Sequence, residues 1–158
     1  MRSILSVFLV GMALSGCSVQ GKAVEAHFWD PCAELSDATL KQAGALPEKK
    51  NAAVQLVGWR ICAWPTVFEH YWLNVSSTDE DTLSTMRRDP TYTDFRDVSV
   101  DGRKGQTYLF THSRRGGCTV GFDTSYGSVH IDMTKPYADD ACERAVDVAR
   151  KLLPSLPS

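Results

Sequence analysis

The sequence lacks the residue patterns by which many enzymes are recognised. It has no Gly-x-Ser-x-Gly nucleophile motif, no phosphate-binding glycine loop and no dinucleotide-binding fingerprint. No two cysteines are separated by two residues, which argues against a thioredoxin-like redox site or a zinc knuckle. An excess of basic residues is also missing: 17 Lys and Arg against 19 Asp and Glu give a net charge of −2. We therefore expect no cofactor, no metal site and no nucleic-acid partner.

Long apolar runs are missing after the N-terminal segment, and that segment has a specific layout. Arg2 precedes an uncharged apolar run over residues 4–14, which is too short to span a bilayer as a helix. Leu14-Ser15-Gly16-Cys17 follows and is similar to a bacterial lipoprotein signal. It predicts removal of residues 1–16 and attachment of a diacylglycerol to Cys17. The alternative is an ordinary signal peptide in which Cys17 is incidental.

The rest of the chain divides into a tether and one domain. Residues 17–27 are polar with scattered apolar positions and are predicted to link the lipid to the folded part. Residues 28–158 have a suitable length for a single domain with its own core. Two acyl chains hold a protein stably on a membrane, so we expect the protein to be lipid-anchored on the extracytoplasmic side of the cell membrane.

Four cysteines remain once Cys17 is set aside, and an even number in an exported domain indicates two disulfides. The local pairing, Cys32 with Cys62 and Cys118 with Cys142, would attach the first helix to the first strand and the last helix to its hairpin. The rival pairing joins Cys32 to Cys142 and Cys62 to Cys118. Proximity along the predicted hairpin favours the local pairing.

Alternating and β-branched segments predict an α+β domain with a twisted, mostly antiparallel sheet of about six strands. Short N-terminal and longer C-terminal helices are expected to cover one face of this sheet. The predicted strands are residues 55–64, 67–75, 95–100, 103–111, 118–123 and 128–133.

Capping residues place the helices. Ser36 and Gly44 delimit a short helix over residues 37–43, and Pro154 ends the last helix. Thr78 followed by three acidic residues predicts a second short helix in which the acids stabilise the helix dipole. Asp140 has the capping-box spacing to an acidic residue in the final helix.

Four sequence landmarks carry a family resemblance. They are Asp30-Pro31-Cys32-Ala33-Glu34-Leu35-Ser36, Cys62-Ala63-Trp64, Gly117-Cys118-Thr119-Val120 and Cys142-Glu143-Arg144-Ala145. In this order, behind the lipoprotein signal, they resemble the actinobacterial envelope lipoproteins of domain-of-unknown-function family 3558. The resemblance implies an envelope location and supports the four-cysteine framework. It brings no catalytic residues.

Polar and aromatic residues supply the candidates for chemistry. His130 and Asp132 have the same side-chain parity on one predicted strand, and a solvent-facing pair is the favoured interpretation. His112 is a further candidate should the protein be a hydrolase. Trp59, Trp64, Tyr71 and Trp72 lie on adjoining predicted strands, where they form either core or a binding surface.

The expected function is therefore binding rather than catalysis. An envelope lipid, a glycan or a partner protein is the expected ligand of the tethered domain. The alternative is a small envelope hydrolase with an unrecognised site, which requires a nucleophile within about 3 Å of a histidine in a pocket. A structural wall component is a third interpretation.

Overall fold

A computed structural model describes residues 28–52, 54, 56–111 and 116–158. The predicted signal segment, Cys17 and the tether, together with His112, lie outside these residues. The described chain is α+β, as predicted, and contains six strands and four α-helices. Its elements, in order, are α1 (Pro31–Glu34), α2 (Asp37–Gln42), β1 (Trp59–Pro65), β2 (Trp72–Thr78), α3 (Leu83–Met86), β3 (Tyr92–Val100), β4 (Arg103–Phe110), β5 (Gly117–Thr124), β6 (Gly127–Thr134) and α4 (Ala141–Leu152), with 3-10 turns at Pro47–Lys49 and Leu153–Ser155.

The six strands form one antiparallel sheet in the order β1-β2-β6-β5-β4-β3. Helix α4 packs against β5 and β6 because its small and apolar residues recur on one side. They meet the buried residues of the strands, which alternate with polar ones. The core side chains of α4, β5 and β6 are Ala141, Ala145, Val148, Ala149, Leu152, Val120, Phe122, Val129, Ile131 and Met133.

Two disulfides attach helices to the sheet, in the local pairing that the sequence favours. Cys32 bonds Cys62, which joins α1 to β1, and Cys118 bonds Cys142, which joins β5 to the first turn of α4. The rival pairing is therefore wrong.

The first two strands differ in extent from the prediction. Strand β1 begins four residues later than predicted because Gly58, at φ +76°, forms a turn immediately before Trp59. Strand β2 is displaced in the same direction, to residues 72–78. Residues 66–71 form a turn instead, in which the Thr66 hydroxyl donates to the Tyr71 carbonyl at 3.0 Å.

One helix-capping prediction is wrong, and a second is correct only in position. Thr78 ends β2, and the N-cap of α3 is Thr82, whose hydroxyl accepts from the Thr85 amide. The three acidic residues therefore precede the cap and lie outside the first turn of α3. Asp140 is the N-cap residue of α4, as predicted, but makes no side-chain capping bond. Its carboxylate accepts hydrogen bonds from the Tyr71 hydroxyl and from Arg144 instead.

The first described residues lie at the C-terminal end of β2. Ser77 donates its hydroxyl proton to the Trp29 carbonyl, and the Arg60 guanidinium lies 4.7 Å from the centre of the Phe28 ring. No helix among the described residues is long and apolar enough to cross a membrane.

Candidate functional site

The sheet face opposite α4 carries mainly polar side chains at its centre. On this second face, strand pairing places side chains in rows that run across the strands. Two adjacent rows lie at the centre of the face, two residues apart along each strand. The rows are Ala63, Asn74, Asp132, Thr119 and Tyr108, and then Ile61, Ser76, His130, Gly121 and Gln106.

His130 lies at the centre of a buried hydrogen-bonded chain. The Tyr108 hydroxyl is 2.9 Å from His130 Nδ1, and the Ser128 hydroxyl is 2.8 Å from Nε2. Ser128 also donates to the Asp81 carbonyl at 2.7 Å. Trp59 packs beside the imidazole, with ring centres 5.3 Å apart. His130 is only 2 % exposed, so the prediction of a solvent-facing position is wrong.

The direction of these bonds fixes the protonation of His130. Ser128 has one hydroxyl proton and donates it in the hydrogen bond to the Asp81 carbonyl. Its oxygen must therefore accept the hydrogen bond that joins it to His130, so Nε2 carries the imidazole proton. Nδ1 then accepts from Tyr108. Burial lowers the pKa of His130 to about 3, which keeps this neutral form at physiological pH.

This arrangement differs from a nucleophile and its base. The distance between Ser128 and His130 satisfies the requirement of the hydrolase hypothesis, but the histidine donates to the hydroxyl instead of accepting its proton. Both side chains are also buried. The chain of bonds therefore acts as a structural support between β4, β6 and the segment before α3.

An open cleft of about 750 Å³ lies further along the second face, toward the N-terminal end of β2. Ala63, Asn74 and Thr134 contribute to it from three adjacent strands. Trp72, which is 44 % exposed, and His70 line it as well. The cleft thus combines an accessible indole with amide and hydroxyl groups. We call it the Trp72 cleft.

Asp132 lies beside this cleft and is bonded to its lining. Its Oδ2 accepts from Asn74 Nδ2 at 3.0 Å and from the Thr134 hydroxyl at 2.6 Å, and its Oδ1 accepts from the Thr119 hydroxyl at 3.3 Å. Burial raises the pKa of Asp132, and these three hydrogen bonds oppose the increase. A shielded carboxylate with a raised pKa beside a cleft is typical of functional sites.

Gly117 lies next to Asp132 on the neighbouring strand. It pairs with Thr134 across β5 and β6. A Cβ atom placed on Gly117 would lie 3.7 Å from Asp132 Oδ1 and would meet no described atom closer than 3.4 Å.

The structure divides the predicted aromatic group. Trp64 and Tyr71 are buried in the core, Trp59 is partly buried against His130, and Trp72 faces solvent. The core interpretation is therefore confirmed for Trp64 and Tyr71, while a binding role for the exposed Trp72 stays a prediction. Sequence reasoning missed Asn74 and Thr134, although Thr134 continues the alternation that contains Asp132.

Metal binding has no support among the described residues, where no group of three or more His, Cys, Asp or Glu side chains could hold an ion.

Comparison with known families gives one match. The family described as "Protein of unknown function (DUF3558)" matches residues 12–155. The chain belongs to the DUF3558 family. The match contains both disulfides and the whole Trp72 cleft. No curated protein and no solved structure matches the chain.

Proposed function

We propose that this protein is a lipid-anchored binding protein of an actinobacterial cell envelope, and that its domain holds a glycan in the Trp72 cleft without cleaving it. The cleft is the observation that carries the proposal. An exposed indole offers a flat apolar surface to the C–H face of a sugar ring, and nearby amide and hydroxyl groups can orient its hydroxyls.

The anchor rests on the sequence. Arg2, the apolar run and the Leu14-Ser15-Gly16-Cys17 signal together support acylation of Cys17. The two disulfides agree with an oxidising compartment outside the cytoplasm.

Substitution of Cys17 tests the anchor. We expect Cys17→Ala to abolish incorporation of a labelled fatty acid and to leave the signal segment uncleaved, because the thiol that would receive the lipid is gone. Expression in the native host with an azido-palmitate label, followed by gel analysis, measures both effects. Unchanged labelling of Cys17→Ala would contradict the proposal, while Cys32→Ala should retain its label.

Substitution of Trp72 tests the cleft. We expect Trp72→Ala to weaken binding of a sugar oligomer about tenfold, the equivalent of about 1.4 kcal/mol, because the stacking surface is lost. The probes are the hexamers of glucosamine and of N-acetylglucosamine, measured by titration calorimetry. Tyr126→Ala is the matched control, since Tyr126 is an exposed aromatic residue outside the cleft.

Two results would contradict this proposal. Equal weakening by Trp72→Ala and Tyr126→Ala would remove the cleft as the binding site. Shortened hexamers, detected by mass spectrometry after prolonged incubation, would show cleavage and overturn the non-enzymatic part.

A further inference from the structure

The carboxylate of Asp132 has no cationic partner in the described part of the chain. The ion pairs of these residues involve other acids, and the three groups that bond Asp132 are a neutral amide and two hydroxyls. A shielded negative charge is ordinarily compensated by a positive one, because hydrogen bonds only partly replace its lost hydration. The compensating charge is therefore missing from the described residues around the cleft.

The groups beside Asp132 offer acceptors to a ligand. Asn74 donates from Nδ2 both to Asp132 and, at 3.2 Å, to the Thr134 oxygen, which uses its two amide protons. Thr134 gives its hydroxyl proton to Asp132. What remains is Asn74 Oδ1, which bonds no described residue, and the spare lone pairs of Asp132 Oδ1.

The exposed indole of Trp72 has the same preference for positive charge. Trp72 pairs with Thr134 across β2 and β6 and is two residues from Asn74, so its ring is on the side of the sheet that carries these acceptors. The face of an indole attracts a cation. A carboxylate, an amide oxygen and an indole thus favour one chemical group, a protonated amine.

We propose that the Trp72 cleft selects a glycan that carries a free amino group, and that Asp132 is its specificity-determining residue. This inference rests on the proposed glycan-binding function. The protonated amine donates to Asp132 Oδ1 and supplies the positive charge that the described residues of the site lack. An N-acetylated sugar has no such charge and leaves the carboxylate uncompensated.

A comparison of two ligands tests the inference on the unmodified protein. The hexamers of glucosamine and of N-acetylglucosamine are titrated at a pH where the amine carries its proton. We expect the glucosamine hexamer to bind at least about tenfold more tightly, as one charge-assisted hydrogen bond can provide. Equal affinities would overturn the amine selectivity and leave glycan binding intact, whereas binding of neither hexamer would overturn both proposals.

Variants separate this site from general attraction of a cationic sugar to an acidic protein. Asp132→Asn should remove the preference for glucosamine, and Asp97→Asn, which removes an exposed charge on β3, should keep it. Gly117→Leu, which places a side chain beside Asp132 Oδ1, should weaken binding of the glucosamine hexamer. Circular dichroism establishes that each variant is folded. A preference that survives in folded Asp132→Asn, or is lost equally in Asp97→Asn, would overturn the inference.

Discussion

Lowering the pH from 7 to 5 is expected to decrease the free energy of unfolding by about 2 kcal/mol through His130 alone. The pKa of His130 falls from 6.5 in the unfolded chain to about 3 in the fold because burial disfavours the imidazolium. A group with a lowered pKa contributes stability that is present above its unfolded value and is lost as the pH falls. The full loss between pH 6.5 and about pH 3 amounts to about 5 kcal/mol. Urea unfolding at a series of pH values measures this loss in the free energy of unfolding.

Substitution of His130 isolates this effect from the titration of carboxylates. The glutamine of His130→Gln retains a donor and an acceptor but cannot be protonated. Between pH 7 and pH 5 this variant should therefore lose about 2 kcal/mol less stability than the unmodified protein. His70→Gln, at an exposed histidine, should keep the slope of the unmodified protein. Identical slopes in His130→Gln and the unmodified protein would show that the fold does not shift the pKa of His130, and would contradict this prediction.

Removal of either disulfide is expected to cost about 3.5 kcal/mol, since the closed loops of 24 and 30 residues restrict the unfolded chain by similar amounts. The local consequences should differ. Helix α4 keeps its apolar contacts with β5 and β6, whereas α1 has four residues and little packing of its own. Loss of Cys32–Cys62 should therefore release α1 while the sheet remains folded.

Denaturant unfolding and hydrogen exchange measure these two consequences. The paired variants are Cys32→Ala with Cys62→Ala and Cys118→Ala with Cys142→Ala. We expect fast amide exchange at residues 32–35 only in the first pair. Protection of α1 that is equal in both pairs would mean that packing, and not the disulfide, holds α1 on β1.

Sequence reasoning succeeded where local signals and packing agree. The alternation in β5 and β6 and the spacing of Ala145, Val148 and Leu152 predicted both the strands and the buried side of α4. It failed at Thr78, where the same residue type that caps a helix also suits a strand. Pairing with Ser128 on β6 determines the outcome, and such pairing is a tertiary property.

The candidate site was predictable only in part. The shared parity of His130 and Asp132 is a property of the strand itself, and it is confirmed by their positions in adjacent rows of the second face. Their burial depends on Tyr108, Trp59 and Thr119, which reach them from other strands. Nothing in the sequence specifies that contact, because it requires the order of strands in the sheet.

The position of Phe28, the first described residue, relative to the Trp72 cleft has a mechanical consequence. Phe28 lies at one end of β2 and Trp72 at the other, about 20 Å away along the strand. Under the function proposed above, a pull between the lipid anchor and a ligand in the cleft would be directed along β2 and β6. The hydrogen bonds between antiparallel strands are perpendicular to that direction, so they carry the load in shear and share it. A domain built in this way resists extension better than one whose strands are peeled apart one bond at a time.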